Sequence, residues 1–555
     1  MIALKGSGFD VILVGGEPYA DHPLSGVGVI ARVLDAQGLK VGVIEHPDWK
    51  GDADFRRLGA PRLFFGITSG SIDSMLVNYT PLKRARAKDE HAPYASAMPD
   101  RAVLVYANKV RALFPGVPVV LGGIEASLRR FAHYDYWGDE VRRGLLLDSR
   151  ADILVYGPGE SQAVEISRRL DRGEPLEGIR GTCVVAREAP AGFAEIPSYE
   201  DVAGDSAAFL RAQAAFSNRK ALAQRHGNRF VLQYPMPDVT PADLDRIYGL
   251  PFTRRIPPHF PELKMAQFSV VTHRGCVGRC SFCSLALHQG DRIVSRSEAS
   301  ILDEIRGLTA HPDFKGYIDD LGGPSANMYG MDCPARDRCE RDCLTCKRLE
   351  RGQARLVRLM RKARAVPGVK KVFVRSGIRY DLAMESEDYL RELVGHHLSG
   401  LLKIAPEHVS PEVLERMNKV ERPLEEFRAR FKAANAAAGK TGQHLKYYFM
   451  VAHPGTGEKE ARELAREIRR LEKDGDKPVE GVQIFTPTPM TASTCMYHTG
   501  IDPITGEPVH VPRTYAEKKE QKRLALGGST PEPARNVSSP RGRRPLPGRS
   551  SKSNP

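Results

Sequence analysis

Residues 273–290 read HRGCVGRCSFCSLALHQG, and this stretch decides how the second half of the chain is interpreted. It places Cys276, Cys280 and Cys283 at the spacing C-x3-C-x2-C, directly after an apolar run, Phe268–Thr272, that we predict to be a β-strand. Three thiolates on one loop can hold three irons of a cubane [4Fe–4S] cluster, whereas four are needed to fill it. Structural zinc sites typically bring four ligands in closely spaced pairs. The triad therefore favours a cluster with one open iron.

The open iron indicates the chemistry to expect. It can chelate a ligand that carries both an amine and a carboxylate, such as the methionine end of S-adenosylmethionine (SAM). An electron passed through that iron into the sulfonium breaks a C–S bond and releases a 5′-deoxyadenosyl radical. In such a site the cofactors supply the difficult chemistry, while the protein supplies position and excludes water.

Downstream of the triad, short apolar runs alternate with segments of helical periodicity. A complete barrel of this kind has eight strand–helix units. Six units predict an open, partial (βα)6 barrel over residues 265–512, with its active face at the carboxyl ends of the strands. The six predicted strands are Phe268–Thr272, Gly316–Asp320, Lys371–Arg375, Leu401–Ile404, Lys446–Val451 and Gly481–Phe485.

Upstream of the triad, the chain also alternates between strands and helices. Its apolar runs are short, rich in β-branched residues and unalternating, which is typical of buried parallel strands. We predict a doubly wound, Rossmann-like α/β domain over residues 1–195 and a connector over residues 196–264. The predicted strands are Phe9–Val14, Lys40–Ile44, Arg62–Ile67, Val117–Leu121 and Ile153–Tyr156.

The triad with its aromatic residue, C-x3-C-x-Φ-C with Phe282, resembles the signature of the radical SAM superfamily. In that superfamily the aromatic residue lies near the adenine. The resemblance also covers Gly322-Gly323-Pro324, which is similar to a Gly-Gly-Glu element whose backbone contacts the methionine amine. It implies that Arg375, Ser376 and Glu407, at strand ends, contact the ribose and the carboxylate; they can equally be ordinary strand-end polar residues.

At a closer level, residues from about 10 to 512 resemble the YgiQ-type uncharacterised radical SAM family. That family tends to have arginine three residues after the histidine that follows the triad, where this chain has Asp291. The resemblance implies a cluster, SAM and a reducing electron donor such as flavodoxin or ferredoxin, but no substrate. The segments that carry it are GGIEASLRRFAHYDYW, DILVYGPGE, GCVGRCSFC, YIDDLGGPSANMYG, VRSGIRYD, LLKIAPEHVS and FTPTPMTASTCMYHTG.

A second group of cysteines follows within residues 333–346, as an insertion between the second strand and the next helix. Four thiols this close can bind zinc or a second iron–sulfur cluster. Free thiols are the alternative, because the spacing matches no standard zinc finger. The group consists of Cys333, Cys339, Cys343 and Cys346.

The N-terminal α/β domain resembles the cobalamin-binding domain that precedes some radical SAM modules. The ligating pattern D-x-H-x-x-G is missing, because Asp21 and His22 are adjacent. We therefore expect that cobalamin is not a cofactor, and that any cobalamin would bind without histidine ligation.

The net charge is +14, but +8 of it lies in residues 513–555. The remaining excess is small for a body of this size, so nucleic-acid binding is not expected. Residues 513–555 are interpreted as a basic, disordered tail that begins with a short helical stretch. No apolar run of about 18 residues or an export signal is present, so we expect no membrane span and a cytoplasmic location.

Two alternatives to a radical SAM enzyme of unknown substrate stay open. A non-catalytic iron–sulfur redox sensor or scaffold needs a cluster but no cofactor cleft. A radical SAM enzyme that modifies RNA would usually carry a separate RNA-binding domain, and the basic tail is too poor in aromatic residues to stack bases.

Overall fold

The first half of the chain folds around a ten-stranded mixed sheet. The computed structural model describes residues 1–87, 97–258, 261–333, 335, 339, 343–419, 423–476 and 482–527. The strands of the first half, including a separate hairpin of β6 and β7, are Ile2–Ala3 (β1), Val11–Gly15 (β2), Val41–Glu45 (β3), Phe64–Thr68 (β4), Val119–Leu121 (β5), His133–Asp135 (β6), Glu140–Arg142 (β7), Ile153–Val155 (β8), Thr182–Ala186 (β9), Ala194–Ile196 (β10), Leu222–His226 (β11) and Arg229–Gln233 (β12).

The five predicted strands lie side by side and parallel, in the order β3-β2-β4-β5-β8. This is the flavodoxin-like order, in which the chain reverses direction across the sheet between β2 and β4. All five residues of β2 are buried, because helices cover both faces of the sheet. The helices of the first half are Gly26–Asp35 (α1), Ala53–Arg56 (α2), Ser74–Asn78 (α3), Ala102–Leu113 (α4), Gly123–Leu128 (α5), Leu145–Ser149 (α6), Glu160–Arg172 (α7), Tyr199–Gly204 (α8), Ser206–Ala215 (α9) and Pro241–Tyr248 (α10).

The interpretation of residues 196–264 as a connector is wrong for much of that range. Strands β11 and β12 form an antiparallel hairpin that extends the first sheet, with Leu222 and Val231 buried in its core. The residues at the turn, Gly227-Asn228, between two apolar runs are a hairpin signal that the sequence contains. The domain boundary therefore lies beyond Gln233.

The second half confirms the open six-stranded barrel. Strand β13 pairs in parallel with β17, and β16 pairs in parallel with β18. Ile378, after β18, bridges to Ile404 of β19, and β19, β20 and β21 follow in parallel order. The strands are Ser269–Val271 (β13), His273–Arg274 (β14), Val294–Ser295 (β15), Tyr317–Ile318 (β16), Asp320–Gly322 (β17), Lys371–Val372 (β18), Leu401–Glu407 (β19), His444–Val451 (β20) and Gln483–Ile484 (β21).

The helices of this half pack their apolar stripes against the strands. Helix α18 is an example, because it buries Ala461, Leu464, Ile468 and Leu471 at spacings of three and four residues. The helices are Leu285–Gln289 (α11), Glu298–Thr309 (α12), Ala354–Arg364 (α13), Tyr380–Ala383 (α14), Glu387–Glu392 (α15), Pro411–Arg416 (α16), Leu424–Ala437 (α17), Glu458–Lys473 (α18), Ala492–Thr499 (α19) and Tyr515–Ala525 (α20).

Helix α20 corrects the interpretation of residues 513–555 as a disordered tail. The short helix expected at its start packs against α18 and buries Leu524 and Ala525. Threonine 514 caps it, accepting a hydrogen bond from the backbone N–H of Glu517. The prediction for residues 528–555 lies outside the described residues. Among the helices in the described ranges, none is both long and apolar enough to cross a membrane.

Candidate functional site

The cysteine triad lies on a tight loop between β14 and α11. Gly275 begins this loop with a φ of +85°, and a side chain there would collide with the backbone oxygen of Arg292 at 1.8 Å. The backbone N–H of Cys276 donates to the oxygen of Gly290, which closes the loop at 3.1 Å. A Cβ atom on Gly278 would lie 3.5 Å from Sγ of Cys276 and 3.8 Å from Sγ of Cys280. Glycine therefore leaves the space between these two thiols open.

Two cations lie close to these thiols. Arg379 Nη1 is 4.0 Å from Sγ of Cys280, and Asp381 holds the guanidinium at 2.9 Å. Burial raises the pKa of Cys280, while Lys419 and Arg379 act in the opposite direction. Burial raises the pKa of Cys283 to about 12. Iron binding would therefore release protons from these thiols and leave an anionic centre beside two cations.

The donor set fits a cluster better than a single ion. Within the part of the chain that the structure describes, no three His, Cys, Asp or Glu side chains converge as a single metal ion requires. Zinc draws its ligands onto one atom. A cubane cluster bonds each thiolate to a different iron, so its sulfurs are spread around the cube. Cys276, Cys280 and Cys283 offer three thiols on one loop, which are donors of the kind that a cubane cluster takes.

Gly322 and Gly323 end β17, one strand away from the triad. A side chain on Gly323 would overlap the imidazole of His273 at 2.5 Å, and one on Gly322 would lie 3.3 Å from Oγ of Ser376. His273 is fully buried, its Nε2 has no hydrogen-bond partner among the described residues, and burial lowers its pKa to about 4. Gly323 thus lets the backbone lie directly against a neutral histidine, and Gly322 lets it lie close to Ser376.

Asp320 connects the strand of these glycines to the next strand. Its carboxylate accepts hydrogen bonds from the backbone N–H groups of Arg375 and Ser376, at 2.7 and 3.1 Å, and from the hydroxyl of Ser376. The structure therefore brings Arg375 and Ser376 to the same cavity as Gly322 and Gly323. Their contacts with ribose and carboxylate stay predictions.

The other two predicted cofactor residues lie elsewhere. Glu407, with a φ of +66°, pairs with Lys419 at 3.8 Å close to the thiols. Phe282 packs edge-on against His453, with ring centroids 6.5 Å apart. Neither residue lines the cavity that Arg375 and Ser376 line. The predicted adenine contact of Phe282 stays a prediction.

That cavity, of about 700 Å³, lies between the carboxyl ends of the two sets of parallel strands. Residues on both sides of the cysteine loop line it, namely His273 and Arg274 before the loop and Leu285, His288 and Gln289 after it. The first half contributes the turns that follow β2, β4, β5 and β8. These are the glycine-rich turns at the strand ends around Gly122-Gly123 and Gly157-Pro158-Gly159.

Direct contacts join the cysteine loop to the first half. Arg274, two residues before Cys276, pairs with Glu160 at 2.6 Å, and its Nε donates to the hydroxyl of Tyr248. His288 Nδ1 lies 3.0 Å from Oγ of Ser127. Burial lowers the pKa of His288 to about 4, so its ring is neutral near pH 7. The first half is therefore part of the wall of the site.

His22 lies between the two halves of the chain, and both of its ring nitrogens have hydrogen-bond partners there. Its Nδ1 accepts from the backbone N–H of Leu24 at 3.0 Å, and its Nε2 lies 2.9 Å from the oxygen of Gln267. Burial lowers its pKa to about 3. Both ring nitrogens therefore have partners within the protein, which leaves neither for a cobalt ion.

The second cysteine group lies beside the first. Cys343 is buried, and Cys333 and Cys346 pack against the same apolar cluster as Cys276 and Val277. Residues 334, 336–338 and 340–342 of this segment lie outside the described residues. Metal binding by Cys333, Cys339, Cys343 and Cys346 therefore stays a prediction.

Sequence reasoning missed five residues of the site. Asp320 and His273 sit next to predicted motifs, so proximity to Gly322 and Cys276 was an available signal. Arg379 lies within the segment VRSGIRYD, and Arg274 and His288 lie within the cysteine stretch itself. Their contacts with the first half involve separations of more than one hundred residues and left no local signal.

Three families match consecutive parts of the chain. They are "Radical SAM N-terminal" over residues 1–273, "Radical SAM superfamily" over residues 270–468, and a domain of unknown function (DUF3362) over residues 480–526. The third match includes all of helix α20. The boundary near residue 270 agrees with a first half that extends beyond Gln233.

Curated relatives match almost the whole chain. A UPF0313 protein of Methanosarcina mazei is 43% identical and covers 93% of this chain and 91% of its own length. A UPF0313 protein of Geobacter sulfurreducens is 45% identical over 95% of this chain and 91% of its own. Among solved structures, the radical SAM methyltransferase TsrM from Kitasatospora setae, with cobalamin and a [4Fe–4S] cluster bound, shares the fold with a TM-score of 0.51. It is 18% identical and is matched over 93% of this chain and 84% of its own.

Proposed function

Because this chain belongs to the UPF0313 family and itself matches radical SAM domains, we propose that it is an enzyme that binds a [4Fe–4S] cluster and cleaves SAM reductively. Cys276, Cys280 and Cys283 would hold the cluster. When bound and reduced, it supplies an electron that converts SAM into methionine and a 5′-deoxyadenosyl radical. The observation that carries the proposal is the loop of three thiols, with Arg379 beside Cys280, next to a cavity with Gly322-Gly323 in its wall.

The chain's own residues position the reactants. Arg379 and Lys419 offset the negative charge that three thiolates and a cluster would bring. Gly322 and Gly323 expose backbone groups to the cavity, and Asp320 fixes the strand that carries Ser376 beside them. The first half covers the cavity from the other side, which limits the access of water to a reactive radical.

The test is anaerobic turnover. The full chain is reconstituted with iron and sulfide, reduced with dithionite or with a flavodoxin or ferredoxin as donor, and assayed for 5′-deoxyadenosine. We expect its formation with SAM as the only added substrate. An intact cluster that yields no 5′-deoxyadenosine with any of these reductants would contradict the enzyme proposal. It would favour the redox sensor or scaffold instead.

We further propose that the second cysteine group binds metal. Support comes from the burial of Cys343 and from the apolar cluster that Cys333 and Cys346 share with Cys276. Zinc and a second iron–sulfur cluster are the two candidates. Metal analysis of the reconstituted chain should give about eight irons, or about four irons with one zinc. About four irons without zinc, with the first cluster intact, would contradict this proposal.

Cobalamin is not part of the proposal, although the protein TsrM binds it. The two partners of His22 within the protein support a first half without a histidine ligand for cobalt. The cavity of about 700 Å³ falls within the range of about 300–1,000 Å³ for drug-sized ligands, and a complete corrinoid with its nucleotide is far larger than SAM. A corrinoid absorption band retained after incubation with excess cobalamin and desalting would contradict this.

A further inference from the structure

The cavity continues away from the cysteine loop into the first half of the molecule. There it runs along one face of the sheet, between the strands and the two helices α1 and α7. We call this part the apolar slot. Its wall consists of Leu13, Val27, Val29, Ile30, Phe64, Val120, Val155 and Ala163.

The sequence keeps this slot open by placing small residues around it. Gly66 lies in the middle of β4, where a Cβ atom would come within 2.7 Å of the side chain of Leu13. Gly159 and Ala163 are the small residues of α7 and its preceding turn, and Cδ1 of Ile30 would lie 3.8 Å from a Cβ atom on Gly159. Ile30 and Val27 are only partly buried, although their neighbours in the same apolar cluster are buried.

The charges around the cavity differ between its two sides. Every basic side chain that lines the cavity belongs to the second half. Among the described lining residues of the first half, only two are charged, Glu17 and Glu160. Glu160 is neutralised by Arg274. Burial raises the pKa of Glu17, which favours its uncharged form. Among the described residues of the first half that line the cavity, no cationic side chain is therefore available to pair with a phosphate or a carboxylate.

We propose that the apolar slot binds the uncharged, apolar end of the enzyme's substrate, so that the rest of the molecule reaches the cavity beside Gly322-Gly323. The substrate class is thus a small molecule with an aliphatic or aromatic end rather than a nucleotide or an RNA. This inference rests on the proposed function, since it places a substrate in the same cavity as SAM. Enclosure in an apolar wall supplies about 25 cal/mol for each Å² of apolar surface removed from water.

The experiment uses an uncharged fluorophore, N-phenyl-1-naphthylamine, titrated into the purified full chain. We expect saturable binding of one fluorophore per chain. Ile30→Trp fills the slot and should weaken that binding roughly tenfold or more. Leu176→Trp is the matched control, because Leu176 packs against the same apolar cluster without lining the cavity. Circular dichroism and the thermal midpoint confirm that both variants fold.

The outcomes separate this inference from the proposed function. The parent chain and Leu176→Trp, which does not line the cavity, should both form 5′-deoxyadenosine from SAM alone, because that reaction needs no occupant of the slot; this readout fails only if the proposed function fails. Equal binding by Ile30→Trp and the parent chain, or no saturable binding at all, would overturn the slot. Stoichiometric displacement of the fluorophore by hydroxocobalamin would also overturn it, because the occupant would then be the base of a corrinoid.

Discussion

Both sides of the cavity are built from parallel strands that end in glycine, yet the side chains they present differ: polar and charged on one side, apolar on the other. In the second half, the strand ends carry His273, Asp320 and Arg375 and lie next to the cysteine loop. In the first half, the strand ends lead into the apolar slot. The second half therefore contributes the cysteine loop and the charged side chains, whereas the first half contributes the apolar wall. A substitution in the second half should therefore affect SAM cleavage, and a substitution in the apolar slot of the first half should affect which ligand is bound.

The largest expected effect concerns the reactive side. Cys280→Ser should abolish the [4Fe–4S] cluster and reduce 5′-deoxyadenosine formation to background, because only two thiolates then remain on the loop. The measurement is iron content together with the absorption and electron paramagnetic resonance spectra of the reconstituted chain. Cys183→Ala, in the sheet of the first half, is the control and should retain both. A variant Cys280→Ser with a full cluster would break the assignment of chemistry to this loop.

The next effect concerns the contact that joins the two sides. Glu160→Gln removes the anion from Arg274, and an uncompensated buried charge costs about 3–5 kcal/mol in free energy of unfolding. Burial opposes the charged form of Arg274, but Glu160 and Tyr248 hold its pKa above the ordinary value. Urea unfolding at pH 7 measures the loss. The double variant Glu160→Gln with Arg274→Met should recover most of it; no loss in the single variant would show that the halves do not depend on this pair.

A smaller effect on SAM cleavage should distinguish Gly323, in the second half, from Gly122, in the first half. Gly323→Ala would push against the imidazole of His273, so we expect roughly 10- to 100-fold lower kcat/KM for SAM cleavage, because small displacements in a site cost that much. Gly122→Ala is the matched control, since no atom lies within 4 Å of a Cβ atom there. Both variants should keep the cluster. Equal effects of the two substitutions on 5′-deoxyadenosine formation would contradict the division between the sides.

The smallest effect is in pH dependence. Burial, followed by Arg274 and Arg130, lowers the pKa of His288 to about 4, below the unfolded value of about 6.5. The unfolded chain therefore takes up a proton that the folded chain does not, and stability falls as pH drops from about 6.5 towards 4, by ~1.4 kcal/mol per pH unit. His288→Asn should lessen this slope by that amount and can keep the bond to Ser127. Urea unfolding at three pH values in that window measures it, and an unchanged slope would show that His288 is protonated in the folded chain.

Much of this arrangement could be predicted from local patterns in the sequence. Strand runs such as Val11–Gly15 and the spacing of Cys276, Cys280 and Cys283 are read within a few residues of one another, and both halves of the fold are confirmed. The hairpin of β11 and β12 was missed because its role depends on which sheet it joins. The partners of Arg274 and His288, namely Glu160 and Ser127, could not be predicted, because a contact between residues far apart in the chain leaves no local pattern in the sequence.

Phe282 and Glu407 show the limit of a motif. Both stand at the positions that a resemblance assigns to the cofactor, but the strand bulge between Ile404 and Glu407 changes where that carboxylate lies. A bulge alters the direction of the side chains that follow it. Spacing along the chain therefore does not show what the Glu407 side chain contacts, and the cofactor roles of Glu407 and Phe282 stay predictions.

Helix α20 has a consequence for the order in which the protein is made. The ammonium of Lys518 donates to the hydroxyls of Tyr136 and Tyr497, at 2.9 and 3.0 Å, and so joins one of the last described helices to the first domain. Chains are synthesised from the N-terminus, and domains fold as they emerge. During translation, the contact of Tyr136 with Lys518 can therefore form only after the whole barrel has left the ribosome.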